Sequence, residues 1–184
     1  LYLSFDNIKV GELQARYLVD KLPGRKGKIV RIYGSKTDNN AKLFKQGQDN
    51  ILQPLIDTGD VQVVFEDWAL DWKTENAKKI VNAALTAHGK DIQGVLASND
   101  GTAGGAVQAL KGPQVDIDKG VVAGIDATPD GLSAMEAGDL DVTVFQNATK
   151  QGEVALATAL SMAAGEKAEG NIWIPFEPVT AANM

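Results

Sequence analysis

Short apolar runs rich in β-branched residues alternate with amphipathic segments along this 184-residue chain. The segments between the runs have the 3.6-residue apolar spacing of helices and occupy residues 7–22, 40–56, 74–87, 101–110, 129–137 and 149–164. The apolar runs are typical of buried strands and occupy residues 28–33, 61–65, 94–97, 121–125, 142–145 and, more weakly, 171–174. Such alternation predicts right-handed βαβ units and a parallel sheet covered on both faces. The predicted fold class is α/β, a Rossmann-like parallel sheet with helices on both faces.

Composition excludes several kinds of site. The chain has no Cys and a single His, His88, so thiolate sites, cysteine nucleophiles and multi-histidine metal sites are excluded. The net charge is −6, whereas a nucleic-acid backbone requires clustered Lys and Arg. No apolar run approaches the roughly 18 residues that a membrane span requires. We therefore predict no metal, no cofactor and no nucleic-acid partner.

The ends of the predicted strands carry amides, carboxylates and tryptophans. Ligands of open α/β sheets bind at the carboxyl ends of the strands, where loops enter helices. Amides donate and accept hydrogen bonds, carboxylates accept from two hydroxyls, and an indole offers a flat apolar face to C–H groups. These positions have few of the cations that a phosphate group would require. The pattern predicts a sugar site with one residue from each of five successive strand ends: Asn40, Trp72, Asn99, Asp126 and Gln146.

Several of these residues also have structural interpretations. Asn99 is equally well interpreted as a turn residue or as a ligand contact. Asp100 is expected to be the N-cap of the following helix, and either Asn39 or Asn40 is expected to cap the helix after the first predicted strand. Asp126 is harder to explain structurally, because an acidic side chain at a buried strand end needs partners.

Other residues are predicted to be structural. Of Trp68 and Trp72, one is expected to pack in the core and the other to face the cleft, and Trp173 is expected in the core. Asp116 and Asp118 hint at a calcium loop, but the spacing of an EF-hand is not met, so an exposed turn is predicted there.

Catalytic interpretations fit less well. A Ser–His–Asp triad would depend on His88, which lies at the end of its helix opposite the predicted site. A glycosidase needs two facing carboxylates, and Asp71 or Asp100 beside Asp126 leaves that alternative open. A phosphoacceptor receiver domain would carry Lys where this chain has Gln146. We therefore predict a protein that binds its ligand without chemistry and is not an enzyme.

Four long segments resemble the D-xylose-binding proteins, which are type I periplasmic solute receptors of ABC sugar importers. The segments are SFDNIKVGELQARYLVDKL (residues 4–22), GSKTDNNAKLFKQGQ (34–48), DWALDWKTENAKKIVNAALTA (67–87) and VLASNDGTAGGAVQAL (95–110). They occur in the same order as in the family. The resemblance implies the type I periplasmic binding protein fold, in which two Rossmann-like lobes joined by a hinge close on one sugar.

Matching positions in the family motifs imply roles for the five candidate residues. Asn40, Asn99 and Asp126 would hydrogen-bond the sugar, and Trp72 would stack on it. Gln146 departs from the family, because close relatives carry Lys at this position. A glutamine keeps a hydrogen bond there but not a positive charge.

The resemblance also implies how the chain is divided. Residues 1–5 would be a hinge crossover, residues 6–145 the C-terminal sugar-binding lobe, and residues 146–184 a returning segment of the N-terminal lobe. The earlier part of that N-terminal lobe would be missing from this sequence.

The function that the resemblance implies is that of an extracytoplasmic or periplasmic receptor, secreted or lipid-anchored. It would bind D-xylose or a related aldopyranose and deliver it to an ABC permease. Two alternatives use the same fold: a sugar-responsive regulator core of the repressor type, and a sensor subunit that signals through a histidine kinase.

Overall fold

The computed structural model describes residues 1–112 and 120–184. All of the helices and strands predicted from the sequence are present, with ends that differ by at most three residues, whereas Asp116 and Asp118 lie outside the described residues. The helices are α1 (Asn7–Lys21), α2 (Asn39–Asp57), α3 (Thr74–His88), α4 (Asp100–Lys111), α5 (Pro129–Glu136) and α6 (Ala148–Ala163). The strands are β1 (Tyr2–Ser4), β2 (Gly27–Tyr33), β3 (Val61–Trp68), β4 (Gly94–Ala97), β5 (Val121–Ala123), β6 (Val142–Gln146), β7 (Asn171–Trp173) and β8 (Phe176–Thr180).

Six strands form the main sheet in the order β3-β2-β4-β5-β6-β8. The first five are parallel, and β8 runs antiparallel to β6 at the edge. Because the five parallel strands all end at the same edge of the sheet, the five candidate residues are brought to that edge. The α/β prediction is confirmed.

Helices cover the main sheet on both faces, as alternation along β2 shows. Val30 and Ile32 point to one side, where they pack in a cluster with side chains of α3, α4 and α5. Ile29 points to the other side and packs with Leu18 of α1 and Leu52 of α2. A strand that is apolar on both faces requires helices on both faces, which is why the apolar runs in the sequence are unbroken.

A fully buried glutamine of α1 binds the carboxyl ends of two strands. The side-chain Nε2 of Gln14 lies 2.6 Å from the carbonyl oxygen of Ala97, 3.1 Å from that of Ala123 and 3.0 Å from that of Gly124. These carbonyls end β4 and β5, beyond which the sheet offers them no further partner. Gln48 of α2 donates in turn to Oε1 of Gln14 at 3.0 Å, which completes the hydrogen bonding of the buried amide.

The two strands after β6 belong to different sheets. β7 pairs with β1 in a separate two-stranded sheet, and α6 has no buried residue. β8 returns to the main sheet beside β6, a strand that the sequence did not predict because Pro175 and Pro178 interrupt its pattern. Proline is tolerated there because β8 is an edge strand. The division into a hinge crossover, a lobe and a returning segment stays a prediction.

The prediction that Trp173 lies in the core is wrong. Its side chain is 49% exposed and contacts the ring of Tyr2 edge-on, with 5.9 Å between the ring centroids. The two aromatic rings belong to the small β1–β7 sheet, and no layer formed by the described residues covers them.

Helices α1 and α2 approach each other closely through two glycines. A methyl group on Gly47 of α2 would overlap the carbonyl oxygen of Ile8, and one on Gly11 of α1 would overlap that of Phe44. Because backbone rather than flexible side chain lies in the way, the helices would have to separate. This contact sets how closely the N-terminal halves of the two helices lie together, and both helices begin beside the candidate site.

We expect Gly47→Ala to lower the free energy of unfolding by about 1–3 kcal/mol, as overpacking does in tight interiors. The matched control is Gly152→Ala on α6, where nothing lies within 4 Å of the added methyl group. That change should raise stability by up to about 1 kcal/mol, because Ala favours a helix more than Gly. Chemical denaturation measures both values, and equal stabilities of the two variants would contradict the prediction.

Candidate functional site

All five candidate residues line one cavity at the carboxyl edge of the main sheet. The cavity has a volume of about 140 Å³. Three residues that the sequence did not single out also line it: Asp38, Phe44 and Ser98. Two of its lining residues are carboxylates, Asp38 and Asp126, and none is Lys or Arg.

Trp72 is held in place from two sides. It ends a short 3₁₀ turn, Leu70–Trp72, and its indole Nε1 donates to Oδ2 of Asp38 at 3.2 Å. The six-membered ring lies directly on Gly34, where any side chain would overlap it. Trp68 instead packs on Tyr33, with 4.9 Å between the ring centroids. Trp72 therefore lines the cavity, as expected of one of the two tryptophans, whereas the expectation that the other lies in the core is wrong because Trp68 is only half-buried.

The N-cap of α2 is Asp38, so the expectation that Asn39 or Asn40 caps this helix is wrong. Asp38 has the extended backbone of a cap, and its Oδ1 accepts from the backbone N–H of Asn40 at 2.8 Å. Asn39 and Asn40 are the first two helical residues. The side chain of Asn40 is consequently free of a capping role and reaches the cavity.

The N-cap of α4 is Asn99, so the prediction for Asp100 is wrong by one residue. Oδ1 of Asn99 accepts from the backbone N–H of Thr102 at 2.8 Å, and Oγ1 of Thr102 accepts from the backbone N–H of Asn99 at 3.3 Å. This is a capping box. The same side chain caps α4 and lines the cavity, whereas the role of Asn99 as a ligand contact stays a prediction.

Asp100 is a buried structural acid. Its carboxylate accepts from Oγ1 of Thr143 at 2.7 Å and from the backbone N–H of Thr128 at 2.8 Å. Burial raises the pKa of Asp100, and the hydrogen bonds from Thr143 and Thr128 oppose that rise. The carboxylate joins β6 to the start of α5 and does not line the cavity.

Asn7 joins two of the candidate residues and was missed by the sequence analysis. Its Nδ2 donates to Oδ1 of Asn40 at 2.8 Å, and its Oδ1 accepts from Nε2 of Gln146 at 2.9 Å. Only 3% of Asn7 is exposed. The signal for it was present, because Asn7 follows the end of β1 as the other site residues follow their strands.

Asp126 has a strongly perturbed carboxyl group. Burial, and after it the negative charge of nearby Asp100, raise the pKa of Asp126 to about 7. Among the residues that the structure describes, none hydrogen-bonds to the side chain of Asp126. Its carboxyl group therefore lines the cavity with its hydrogen-bonding capacity unused.

The backbone is strained at two edges of the cavity. Asp71 and Trp72 have φ values of 55° and 59°, and Asp126 and Ala127 have values of 115° and 54°. Residues other than glycine adopt this region at an energetic cost, and such positions concentrate at binding sites. The strained turns hold Trp72 and Asp126 at the cavity.

The arrangement suits ligand binding better than the catalytic alternatives. Asp71 is exposed and lies 3.7 Å from Nζ of Lys73, and the hydrogen bonds of Asp100 hold it away from the cavity. Neither lines the cavity together with Asp126, as the facing carboxylates of a glycosidase would. His88 is the last residue of α3, whereas Trp72 lies just before the first, so the length of the helix separates His88 from Trp72.

Residues 1–112 and 120–184 contain no group of three or more side chains suited to binding a metal ion. No helix in them is both long and apolar enough to cross a bilayer.

The periplasmic binding protein domain family matches residues 1–167 of this chain. The chain belongs to that family. The D-xylose-binding periplasmic protein of Escherichia coli K12 is 43% identical over 166 residues, which are 90% of this chain and 49% of the relative. This periplasmic binding protein domain thus spans about half the length of the curated relatives that it matches first. The family predicted from the four segments is confirmed.

Solved structures confirm the type I periplasmic binding protein fold. A solute-binding protein from Bacillus halodurans C-125 with bound myo-inositol superimposes with a TM-score of 0.87 at 32% identity, covering 98% of this chain and 60% of that one. A carbohydrate transporter solute-binding protein from Agrobacterium radiobacter in complex with D-arabinose gives a TM-score of 0.88 at 27% identity, covering 99% and 61%.

The raised pKa of Asp126 predicts a dependence of stability on pH. Folded Asp126 keeps its proton up to about pH 7, whereas the unfolded chain releases it near the ordinary value of 3.8, so stability falls between about pH 4 and pH 7. Asp126→Asn removes this pH-dependent fall. Relative to the native protein, the free energy of unfolding of the variant should therefore rise by roughly 1–3 kcal/mol as the pH increases across this interval. Urea denaturation at successive pH values measures it. Parallel curves for the two proteins would contradict the assignment.

Proposed function

We propose that the protein is an extracytoplasmic solute-binding protein that holds D-xylose or a related aldopyranose and delivers it to an ABC permease. One observation carries the proposal: an indole, three amides and an unpartnered carboxyl group meet in one cavity that no cation lines. A neutral sugar needs these groups, whereas a phosphorylated or acidic ligand would need positive charge.

Each candidate residue has a role in the proposed complex. Trp72 stacks on the C–H face of the sugar ring, and Asp126 accepts hydrogen bonds from one or two hydroxyls. Asn99 uses its Oδ1 to cap α4, which leaves its Nδ2 to donate to the ligand. Asn40 and Gln146 supply the remaining polar contacts at the other end of the cavity.

The relatives support this ligand class. Curated relatives are named for D-xylose, and a solved relative holds D-arabinose, another pentose. The names of these relatives are those of binding proteins, which supports a protein that carries out no reaction and has no cofactor. They also support a periplasmic location and an ABC permease as partner. The lipid-anchored form and a histidine-kinase partner are possibilities of the family that no described residue favours.

The proposed complex includes a second lobe that completes the cavity. At about 140 Å³ the cavity is smaller than the roughly 300–1,000 Å³ of ordinary ligand sites. The proposed division, with residues 1–5 as hinge, 6–145 as one lobe and 146–184 as returning segment, agrees with the separate β1–β7 sheet. On α6, Leu156 and Leu160 are each 63% exposed, which supports a neighbouring lobe that covers them.

We expect D-xylose or a related aldopyranose to raise the melting temperature of the full-length protein. A ligand at 100 times its Kd stabilises by about 2.7 kcal/mol, which shifts the melting temperature by several degrees. A thermal-shift panel of pentoses and hexoses measures the effect, with the corresponding sugar phosphates as controls that should not stabilise. If none of the neutral sugars shifts the transition, the proposed function is wrong.

Trp72→Ala should weaken sugar binding much more than Trp68→Ala. Both changes remove an indole, but only Trp72 lines the cavity, whereas Trp68 packs on Tyr33. We expect a loss of about 2.8 kcal/mol for Trp72→Ala, which is roughly a 100-fold weaker Kd, and less than a tenfold change for Trp68→Ala. Isothermal calorimetry on both variants tests the stacking role, and equal affinities would disprove it.

A further inference from the structure

Three amide side chains form a continuous hydrogen-bonded row behind one end of the cavity. Gln146 donates from Nε2 to Oδ1 of Asn7, and Asn7 donates from Nδ2 to Oδ1 of Asn40. The outer two line the cavity, and Asn7 is buried between them. Gln146 ends β6, Asn7 begins α1 and Asn40 lies in the first turn of α2, so the row joins three separate elements.

The row fixes which atoms of the outer amides face the cavity. An amide has one oxygen that accepts and one NH₂ that donates, so turning Asn7 alone would place NH₂ against NH₂ and oxygen against oxygen. With Asn7 in its observed orientation, Gln146 turns its Oε1 away from the row and Asn40 turns its Nδ2 away. No protein group among the described residues binds either of these two atoms.

The charges that line the cavity favour this direction of the row. A complete reversal would also be hydrogen-bonded, but it would place Oδ1 of Asn40 on the cavity side. That side already holds the carboxylate of Asp38 and the two oxygens of the Asp126 carboxyl group. An N–H of Asn40 is attracted to the Asp38 carboxylate, whereas a carbonyl oxygen would be repelled by it.

We propose that Asn7 is a positioning residue that sets the hydrogen-bond polarity of this end of the cavity. Through it, Asn40 presents an N–H and Gln146 presents a carbonyl oxygen to the ligand. The ligand must therefore offer an acceptor to Asn40 and a donor to Gln146. A pair of hydroxyls on an uncharged sugar or polyol meets this requirement, and a carboxylate or phosphate facing Gln146 does not. The inference deepens the proposed sugar-binding function and rests on it for the ligand.

The orientation itself is testable without any ligand. Side-chain amide NMR of the full-length native protein should show slow solvent exchange of the Gln146 NH₂ and fast exchange of the Asn40 NH₂. The reverse pattern, with Asn40 protected and Gln146 free, would overturn the proposal. This measurement needs no variant, so it decides the point even if substitutions at Asn7 prevent folding.

Asn7→Asp is the informative variant, because a carboxylate accepts hydrogen bonds but does not donate. Gln146 keeps its hydrogen bond to residue 7, while Asn40 must turn over to donate its Nδ2, which brings its Oδ1 to the cavity. The NH₂ of Asn40 should then become slow to exchange. An acidic side chain at the first position of a helix is itself favourable, so α1 should tolerate the change.

The affinities of sugars that carry fluorine in place of one hydroxyl test which of Asn40 and Gln146 donates to the ligand and which accepts. Fluorine accepts weakly and never donates, so the native protein should tolerate it at the hydroxyl that faces Asn40 and reject it at the one that faces Gln146. In Asn7→Asp the affinity for the tolerated analogue should fall by about tenfold more than the affinity for D-xylose, because the fluorine now faces Oδ1 of Asn40. An equal loss for D-xylose and all of its monodeoxyfluoro analogues would overturn the proposal.

Asn50→Asp is the matched control. Nδ2 of Asn50 donates to Oε1 of Glu12 at 2.6 Å, so this change also removes a hydrogen bond that a side-chain amide makes between α1 and α2. This hydrogen bond lies outside the cavity. The variant should leave the preferences among fluorinated sugars and the exchange of Asn40 unchanged. If the exchange pattern is as expected but no sugar binds, the role of Asn7 stands and the proposed function fails. If sugars bind but the exchange pattern is reversed, only the role of Asn7 fails.

Discussion

The side-chain amide of Gln14 is the contact on which the candidate site depends. Parallel strands end with carbonyl groups that the sheet no longer pairs, and β4 and β5 end inside the protein where water does not reach. Gln14 satisfies the carbonyls of Ala97, Ala123 and Gly124 from α1. Asn99 and Asp126 each follow two residues beyond such a carbonyl, so their backbone starts from a fixed point. The strained residues Asp126 and Ala127 are also held from β6, because their backbone N–H groups donate to the carbonyl of Val144 at 2.9 Å and to Oγ1 of Thr143 at 3.0 Å.

Two residues that line the cavity also have structural roles. Asp38 caps α2 with one carboxylate oxygen and holds the indole of Trp72 with the other. Asn99 caps α4 with its oxygen and keeps its NH₂ for the cavity. Two lining residues are therefore fixed as helix caps, and the Nδ2 of Asn99 is the side-chain atom that capping leaves over to face the cavity.

The architecture was predictable because it follows from periodicity. Apolar runs and 3.6-residue spacing located the helices and strands, and the rule that ligands bind at carboxyl ends of parallel strands selected the five residues that line one cavity. Contacts between elements distant in sequence were not predictable. Asn7, for example, accepts a hydrogen bond from Gln146, which lies 139 residues away in the sequence. The caps were misplaced by one or two residues because Asp38-Asn39-Asn40 and Asn99-Asp100 offer adjacent side chains of equal capping ability. β8 was not predicted because prolines interrupt its strand pattern.

The carboxyl group of Asp126 has a consequence beyond stability. With a pKa of about 7 it is ionised in only part of the molecules near neutrality, so it exists there as both a donor and an acceptor. A ligand hydroxyl that donates to the ionised form expels a proton when it binds, and one that accepts from the neutral form retains it. In the proposed complex, sugar and proton would therefore compete for the same two carboxyl oxygens of Asp126, and the surrounding pH would act on the cavity as a second ligand.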